Sequence, residues 1–341
     1  MSALRAVDTA TLPMGSGVVN KGEYLSQVSP RHKPWDQHRG EADDVAEIFA
    51  GSVSERHCRY AERIAGCAQV LGFVRNPITG KLTLKNVWFC RVRSCPVCQW
   101  RRSVMWQARV YYALPRLIAG YPDTRFLFLT LTVKNCPITE LRHMLGDMAS
   151  GWKRMMEVKT FPAMGWVRSV EVTRSQRDRS AHPHYHCLLM VPPTYFKADY
   201  LKQKDWAELW RQSLRIDYKP VVHIKVVNPE HRLASGKIVP AAWNIWGAVV
   251  EILKYAVKPS DMVRDPWWFL QLVDQIHKTR AVAVGGILKK YIREREQEDL
   301  TIEPGDEHIV EEMERLFFQW KQPVRKYGKI APLSQGRGWR V

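Results

Sequence analysis

The segment Ala181-His182-Pro183-His184-Tyr185-His186-Cys187-Leu188-Leu189-Met190-Val191 constrains this chain more than any other. Its second half has the composition of a buried strand, and a strand sends alternate residues to the same face. His182, His184 and His186 therefore share one sheet face, where neighbouring neutral imidazoles suit a divalent cation. Pro183 cannot donate a ladder hydrogen bond and marks the strand entry, leaving His184 and His186 as the pair on regular backbone. A histidine-rich loop feeding a core strand is the plainer alternative, and the surrounding segments weigh against it.

Arg125–Val133 (RFLFLTLTV) alternates Phe126, Phe128, Thr130 and Thr132 with Leu127, Leu129, Leu131 and Val133. Both sets are largely apolar, as in a central strand covered on each side. A helix is expected from Ile138 to Val158, with Leu141, Leu145, Met148, Trp152 and Met155 at helical spacing. Gly165–Thr173 is a second strand that carries Val167, Ser169, Glu171 and Thr173 on one face. A mid-strand carboxylate among apolar neighbours is costly without a cation partner. The histidine strand comes third, then a helix over Ala198–Leu214, a strand over Val221–Val227 and a helix from Trp243 to Lys258, ended by Pro259. The order is βαββαβ plus a helix, a ferredoxin-like antiparallel sheet of the α+β class. On the closing helix Trp246, Val250, Leu253 and Val257, with Ile245, Val249, Ile252 and Ala256 beside them, form the buried face. Glu251, Tyr255 and Lys258 fall on the remaining edge at neighbouring spacing.

Upstream lie Cys58, Cys67, Cys90, Cys95 and Cys98, five of the seven cysteines. The Cys95-Pro96-Val97-Cys98 turn lets two thiolates converge on one ion, and Cys90 is near enough to join them. Tetrahedral zinc needs a fourth ligand. Cys67 is the first choice, with Cys58 and His57 as runners-up. Lys plus Arg exceed Asp plus Glu by 52 − 34 = 18, which fits a polyanionic partner, nucleic acid first. Arg91, Arg93, Arg101 and Arg102 around the cysteine turn, with Trp100 and Trp106 interleaved, are candidate DNA contacts, and the basic loop after Thr173 adds Arg174 and Arg177. No run of about 18 apolar residues spans a bilayer, and the N-terminus has neither a basic amphipathic anchor nor the apolar core of a signal peptide. A cytoplasmic protein with no membrane partner is expected, and clustered cysteines in a reducing compartment argue for metal rather than disulfides.

Four segments are expected: 1–56, a loose lead-in with a short helix over Glu41–Ala50; 57–115, a zinc-binding DNA-contacting element; 120–262, the catalytic domain; and 263–341, a helical C-terminal region without an assigned role.

FLTLT on a central strand, Glu171, His184-Tyr185-His186, and Glu251 four residues before Tyr255 occur in an order that resembles the HUH endonuclease superfamily. Within it the chain is most similar to the replication initiators of rolling-circle plasmids, in the branch with a cysteine-rich segment and a Glu-x-x-x-Tyr helix. The resemblance covers about residues 57–260 and carries a single tyrosine rather than a pair. It implies a divalent cation, Mn²⁺ or Mg²⁺, held by His184, His186 and Glu171, and a structural zinc on Cys67, Cys90, Cys95 and Cys98. It implies that Tyr255 nicks one strand at the origin through a 5′-phosphotyrosine and leaves a 3′-hydroxyl primer. Lys258 would assist, and Glu251 would serve a second cleavage and strand transfer that ends the round. The partners implied are single-stranded DNA, the double-stranded origin, a host helicase and polymerase, and a second copy of the chain on DNA. A related relaxase or single-strand transposase shares the site; an attached helicase or a second tyrosine would favour it, and neither is found. A non-catalytic zinc-containing regulator explains the charge and cysteines but leaves Glu171, the histidines and Tyr255 as coincidences. The His-x-Glu and Pro-Cys-x-x-Cys pattern of nucleobase deaminases is absent.

Overall fold

The computed structural model describes residues 23–197, 200–227, 231–232, 238–239, 241–253, 263–292, 298–306 and 314–331. Helices α1 (Leu25–Val28), α2 (Lys33–Ala50) and α3 (Glu55–Gly66) come first, followed by strands β1 (Val70–Arg75) and β2 (Leu82–Val87) and the long helix α4 (Pro96–Gly120). Next come β3 (Arg125–Thr132), α5 (Leu141–Glu157), β4 (Gly165–Arg174), β5 (Ala181–Val191), α6 (Gln203–Leu214) and β6 (Val222–Val227). The short pair β7 (His231–Arg232) and β8 (Ile238–Val239) precedes α7 (Ala241–Ile252) and α8 (Pro266–Ile276). The chain closes with β9 (Val282–Gly286), α9 (Leu288–Tyr291), β10 (Glu314–Lys321) and β11 (Lys326–Ile330). The mixed α+β class and the βαββαβ order hold.

The described residues form two compact units, one from those up to Asp36, Gln69–Val87 and those from Glu314 onward, the other from Gln37–Ala68 and those between Trp88 and Asp306. The first is built on an antiparallel sheet in the order β11-β10-β1-β2. Leu316, Phe318 and Trp320 alternate along β10 and are buried, and the Phe318 ring meets Phe73 of β1 edge-on at 6.0 Å. Gly72 permits that pairing, since a Cβ there would lie 2.8 Å from Asn86 and 2.9 Å from the Phe317 ring.

The second unit carries the antiparallel sheet β6-β3-β5-β4-β9. One face, with Leu127, Leu129, Leu131, Tyr185, Cys187 and Leu189, packs under α5 and α6. The Tyr185 ring sits 6.3 Å from both Trp152 of α5 and Trp210 of α6. On the opposite face Phe126, Val167, Leu188, Met190 and Val284 form one apolar cluster with α4 and α7. That cluster occupies one half of the face and leaves the other half, with Thr130, Glu171, His184 and His186, for polar side chains.

Several expectations are corrected. The lead-in helix begins at Lys33 instead of Glu41, because Pro34 is compatible with a first helical turn. Trp35 and Phe49 of that helix are buried. Residues 57–115, expected as one zinc-binding element, contribute the β1–β2 hairpin to the first unit. The C-terminal region is not a helical appendage. It holds α8, begun by Trp267 and Trp268 as expected, but β9 extends the second unit's sheet beside β4, and β10 and β11 build half of the first unit's sheet. Of the expected buried face of the closing helix, Ile245, Val249 and Ile252 of α7 and Leu253 just after it are buried and Val250 is half-buried, as expected.

Candidate active site

Strand register assembles the polar half of the sheet face. Glu171 of β4 stands opposite His184 of β5, which stands opposite Thr132 of β3; the neighbouring row on the same face is Ser169, His186 and Thr130. The Glu171 Oε2 lies 3.2 Å from His184 Nε2 and 3.1 Å from His186 Nε2. His184 Nδ1 is 3.2 Å from the His182 carbonyl, which can only accept, so the ring proton belongs on Nδ1. A second proton on Nε2 would make the ring a charged donor to Glu171, and without it the Nε2 lone pair and Oε2 are two acceptors that a cation can bridge. Ligands held about 2.1 Å from an octahedral cation, at right angles to each other, lie about 3 Å apart, close to the spacing seen. Burial by itself pushes the Glu171 carboxyl up, but hydrogen bonds and charge from His184 and His186 outweigh it and hold it at about 2. Glu171 is therefore ionised at neutral pH, and the trio can hold a metal ion. His182 takes no part: its Nδ1 pairs with Asn135 Oδ1 at 2.7 Å.

A second group, Cys67, Cys90, Cys95 and Cys98, is fully buried, with all four sulfur atoms within 4.8 Å of one another. Cys98 Sγ is 3.6 Å from both Cys67 Sγ and Cys90 Sγ. Thiolates about 2.3 Å from a tetrahedral zinc lie about 3.8 Å apart, so the set fits that ion. The backbone N–H groups of Cys90 and Val92 donate to Cys67 Sγ and Cys90 Sγ, as is usual around thiolates. Hydrogen bonds from the other three thiols push Cys90 down, while burial pushes Cys95 up. Cys67 supplies the fourth sulfur. The runners-up are engaged elsewhere, His57 between Ser52 and Asp274 and Cys58 on the Ser52 carbonyl.

The candidate DNA-contacting arginines need correction. Arg101 is wholly buried; it pairs with Glu303 at 2.6 Å and donates to the carbonyls of Leu300, Thr301 and Ile302. Arg93 donates to the carbonyls of Ile276 and Thr279, Arg102 pairs with Glu298 at 3.0 Å, and Arg174 pairs with Asp265 at 2.8 Å. These guanidinium groups tie the segment after Cys90 and the end of β4 to later chain. Of the arginines proposed, Arg91 and Arg177 are exposed. Basic residues beside a cysteine turn look the same in sequence whether their partner is a phosphate or a distant carboxylate.

Tyr255 and Lys258 lie outside the described residues. Glu251 is exposed on α7. Tyr185, between the two histidines, is buried on the opposite face and pushed up to about 12 by that burial, which removes it as a nucleophile. Ser169, overlooked as a site residue, donates through Oγ to the Ile252 carbonyl at 2.5 Å and joins the end of α7 to the strand that bears Glu171. Its parity with Glu171 was the available signal.

Replacing the wholly buried Arg101 by Ala leaves the half-buried Glu303 and three carbonyls without this partner and is expected to cost about 3 kcal/mol of stability. Arg177→Ala should leave the melting temperature unchanged. Thermal unfolding of both variants checks this, and an Arg101→Ala protein as stable as the parent would contradict the assignment.

A model of the replication-protein family matches residues 81–328. The protein named Protein rep of Bacillus amyloliquefaciens is 32% identical over 323 residues, covering 87% of this chain and 94% of that protein. Protein rep of Lactiplantibacillus plantarum is 33% identical over 313 residues, 86% and 95% of the two chains. A protein named Replication protein from Staphylococcus aureus is 33% identical over 226 residues, 62% of this chain and 93% of its own. No solved structure matches. Among the described residues no helix is long and apolar enough to cross a membrane. The chain belongs to the replication-protein family, the rolling-circle plasmid replication initiators of the HUH class.

Proposed function

We propose that this protein starts replication of its plasmid by nicking one strand at the origin in a metal-dependent reaction, with Tyr255 as nucleophile. The observation that carries the reading is the ionised Glu171 flanked by His184 and His186 on one sheet face, a donor set able to hold a divalent cation. A cation held by Glu171, His184 and His186 would neutralise charge on the scissile phosphate. Two imidazoles favour Mn²⁺ over Mg²⁺ in affinity. Support for Tyr255 comes from α7: the Ile252 carbonyl, three residues earlier in sequence, is hydrogen-bonded to Ser169, one row from Glu171 on the same face.

The Tyr255 phenol loses its proton and attacks phosphorus; the bond from phosphorus to the 3′-oxygen breaks, and that oxygen leaves as a hydroxyl after taking a proton. The product is a 5′-phosphotyrosine and a 3′-hydroxyl primer, and the covalent bond conserves the linkage for later rejoining. Lys258, one helical turn further by sequence spacing, would steady the phenolate or the phosphate. Glu251, four residues before Tyr255 and exposed, would act as general base on a water in the second cleavage, since a single tyrosine cannot serve both. Cys67, Cys90, Cys95 and Cys98 would hold a structural zinc at the start of α4. Single-stranded and origin DNA are the substrates in this reading, with a host helicase and polymerase downstream and self-association on DNA.

The test is nicking of a supercoiled plasmid that carries the protein's own origin. His184→Ala and His186→Ala are each expected to lower the metal-dependent rate by about 100-fold or more while DNA affinity stays within about two-fold; undiminished nicking by the double variant would remove the metal site. Glu251→Ala is expected to nick at close to the parental rate but to accumulate linear multimers of displaced strand. Clean monomeric circles from that variant would rule out its role in the second cleavage.

A further inference from the structure

An α-helix ends with carbonyls that have no partner within the helix. Ile252 closes α7, and its carbonyl and that of the next residue, Leu253, are claimed by serine hydroxyls from different elements. Ser169 Oγ of β4 donates to the Ile252 carbonyl at 2.5 Å, and Ser103 Oγ of α4 donates to the Leu253 carbonyl. Ser103 Oγ also accepts from Gln107 Nε2 at 3.2 Å, which leaves its own proton directed at Leu253. Ser169, Ile252 and Leu253 are all buried.

We propose that Ser103 and Ser169 form a clasp that sets the position of the C-terminal end of α7, three residues before Tyr255 in sequence, relative to Glu171, His184 and His186. They are positioning residues for strand cleavage, and the inference rests on the reading of Tyr255 as nucleophile. Ile245, Val249, Ile252 and Leu253 hold α7 against the sheet by apolar packing, but that attraction is non-directional and tolerates small slides along the helix axis. Directional bonds to two successive carbonyls resist such slides. Both serines line a cavity of about 340 Å³ beside Leu253, so side-chain packing does not wedge the helix end on that side. Ser169 is two residues from Glu171 and in register with His186, so one short stretch of β4 carries both the carboxylate and the grip on the helix. Ser103 is five residues beyond Cys98, which lies in the first turn of α4, so the cysteine cluster fixes the helix that holds the second arm. Misplacement of a reacting group by about 1 Å can cost 100-fold in rate, which makes an error of this size in the clasp visible in kinetics.

The test measures single-turnover formation of the covalent protein–DNA adduct, with saturating single-stranded DNA from the plasmid's own origin and saturating Mn²⁺, for Ser103→Ala, Ser169→Ala, the double variant and Ser169→Thr. Affinities for the DNA and for Mn²⁺ are measured in parallel. Each alanine variant is expected to slow adduct formation about 10- to 100-fold with both affinities within about two-fold, and Ser169→Thr, which keeps a hydroxyl, to recover most of the rate. If the alanine variants do not fold, Ser169→Cys replaces them, because a thiol is a similar-sized but weak donor; the threonine variant must then react faster than the cysteine variant. Parental rates in the double variant, or equal rates for threonine and cysteine, would overturn the clasp. Tyr255→Phe is run alongside: an adduct that persists there refutes the nucleophile, whereas its loss together with an unaffected serine double variant refutes the clasp alone.

Discussion

The site depends on strand register. Glu171, His184 and Thr132 form one row across β4, β5 and β3, and Ser169, His186 and Thr130 form the next. Because side chains alternate with a period of two, a slip of one residue between β4 and β5 would send the carboxylate and the imidazoles to opposite faces. The apolar halves of the same strands oppose such a slip. It would carry Leu188 and Met190 away from the α4 and α7 cluster and Tyr185 and Leu189 away from α5 and α6. Core packing thus fixes the geometry of the polar end. The carboxylate, costly to bury alone, is stabilised by the histidines that the same register delivers.

Charge in this protein serves two purposes that the sequence does not separate. An excess of 18 cationic residues fits a DNA-handling protein. Yet Arg93, Arg101, Arg102 and Arg174, nearest the recognisable motifs, are spent inside the fold on backbone carbonyls and on Glu303, Glu298 and Asp265. Within residues 298–306, Glu298 and Glu303 serve as counter-charges to Arg102 and Arg101. Exposed side chains beside the row of Ser169, His186 and Thr130 include His223 and Lys225 on β6, which occupy the same face because His223 is in register with Thr130.

Elements with strong periodicity and local chemistry were legible: β3, β4, β5, α5 and α6 lie where alternation and helical spacing put them, and the histidines, Glu171 and the cysteine group converge. What escaped depends on contacts between distant parts of the chain. β1 is a six-residue strand with β2 on one side and, on the other, β10, more than 200 residues away, so the local sequence carries little signal of the sheet. β9, Val-Ala-Val-Gly-Gly, is too short to announce itself and is defined by pairing with β4. Gly286 ends it with φ of +58°, where a Cβ would lie 2.2 Å from the Met164 carbonyl oxygen, a requirement visible only once the two segments meet. The serine contacts to α7 belong to the same class, since a hydroxyl in a strand gives no hint of the carbonyl it will meet.

The most direct test of the account is to map the residue that becomes linked to DNA. The protein would be incubated with a single strand spanning its own origin, with and without Mn²⁺, then digested and the DNA-bearing peptide sequenced by mass spectrometry. The account requires an adduct that forms only with the cation present and maps to Tyr255. An adduct formed without the cation, or one linked to a different tyrosine, would contradict it.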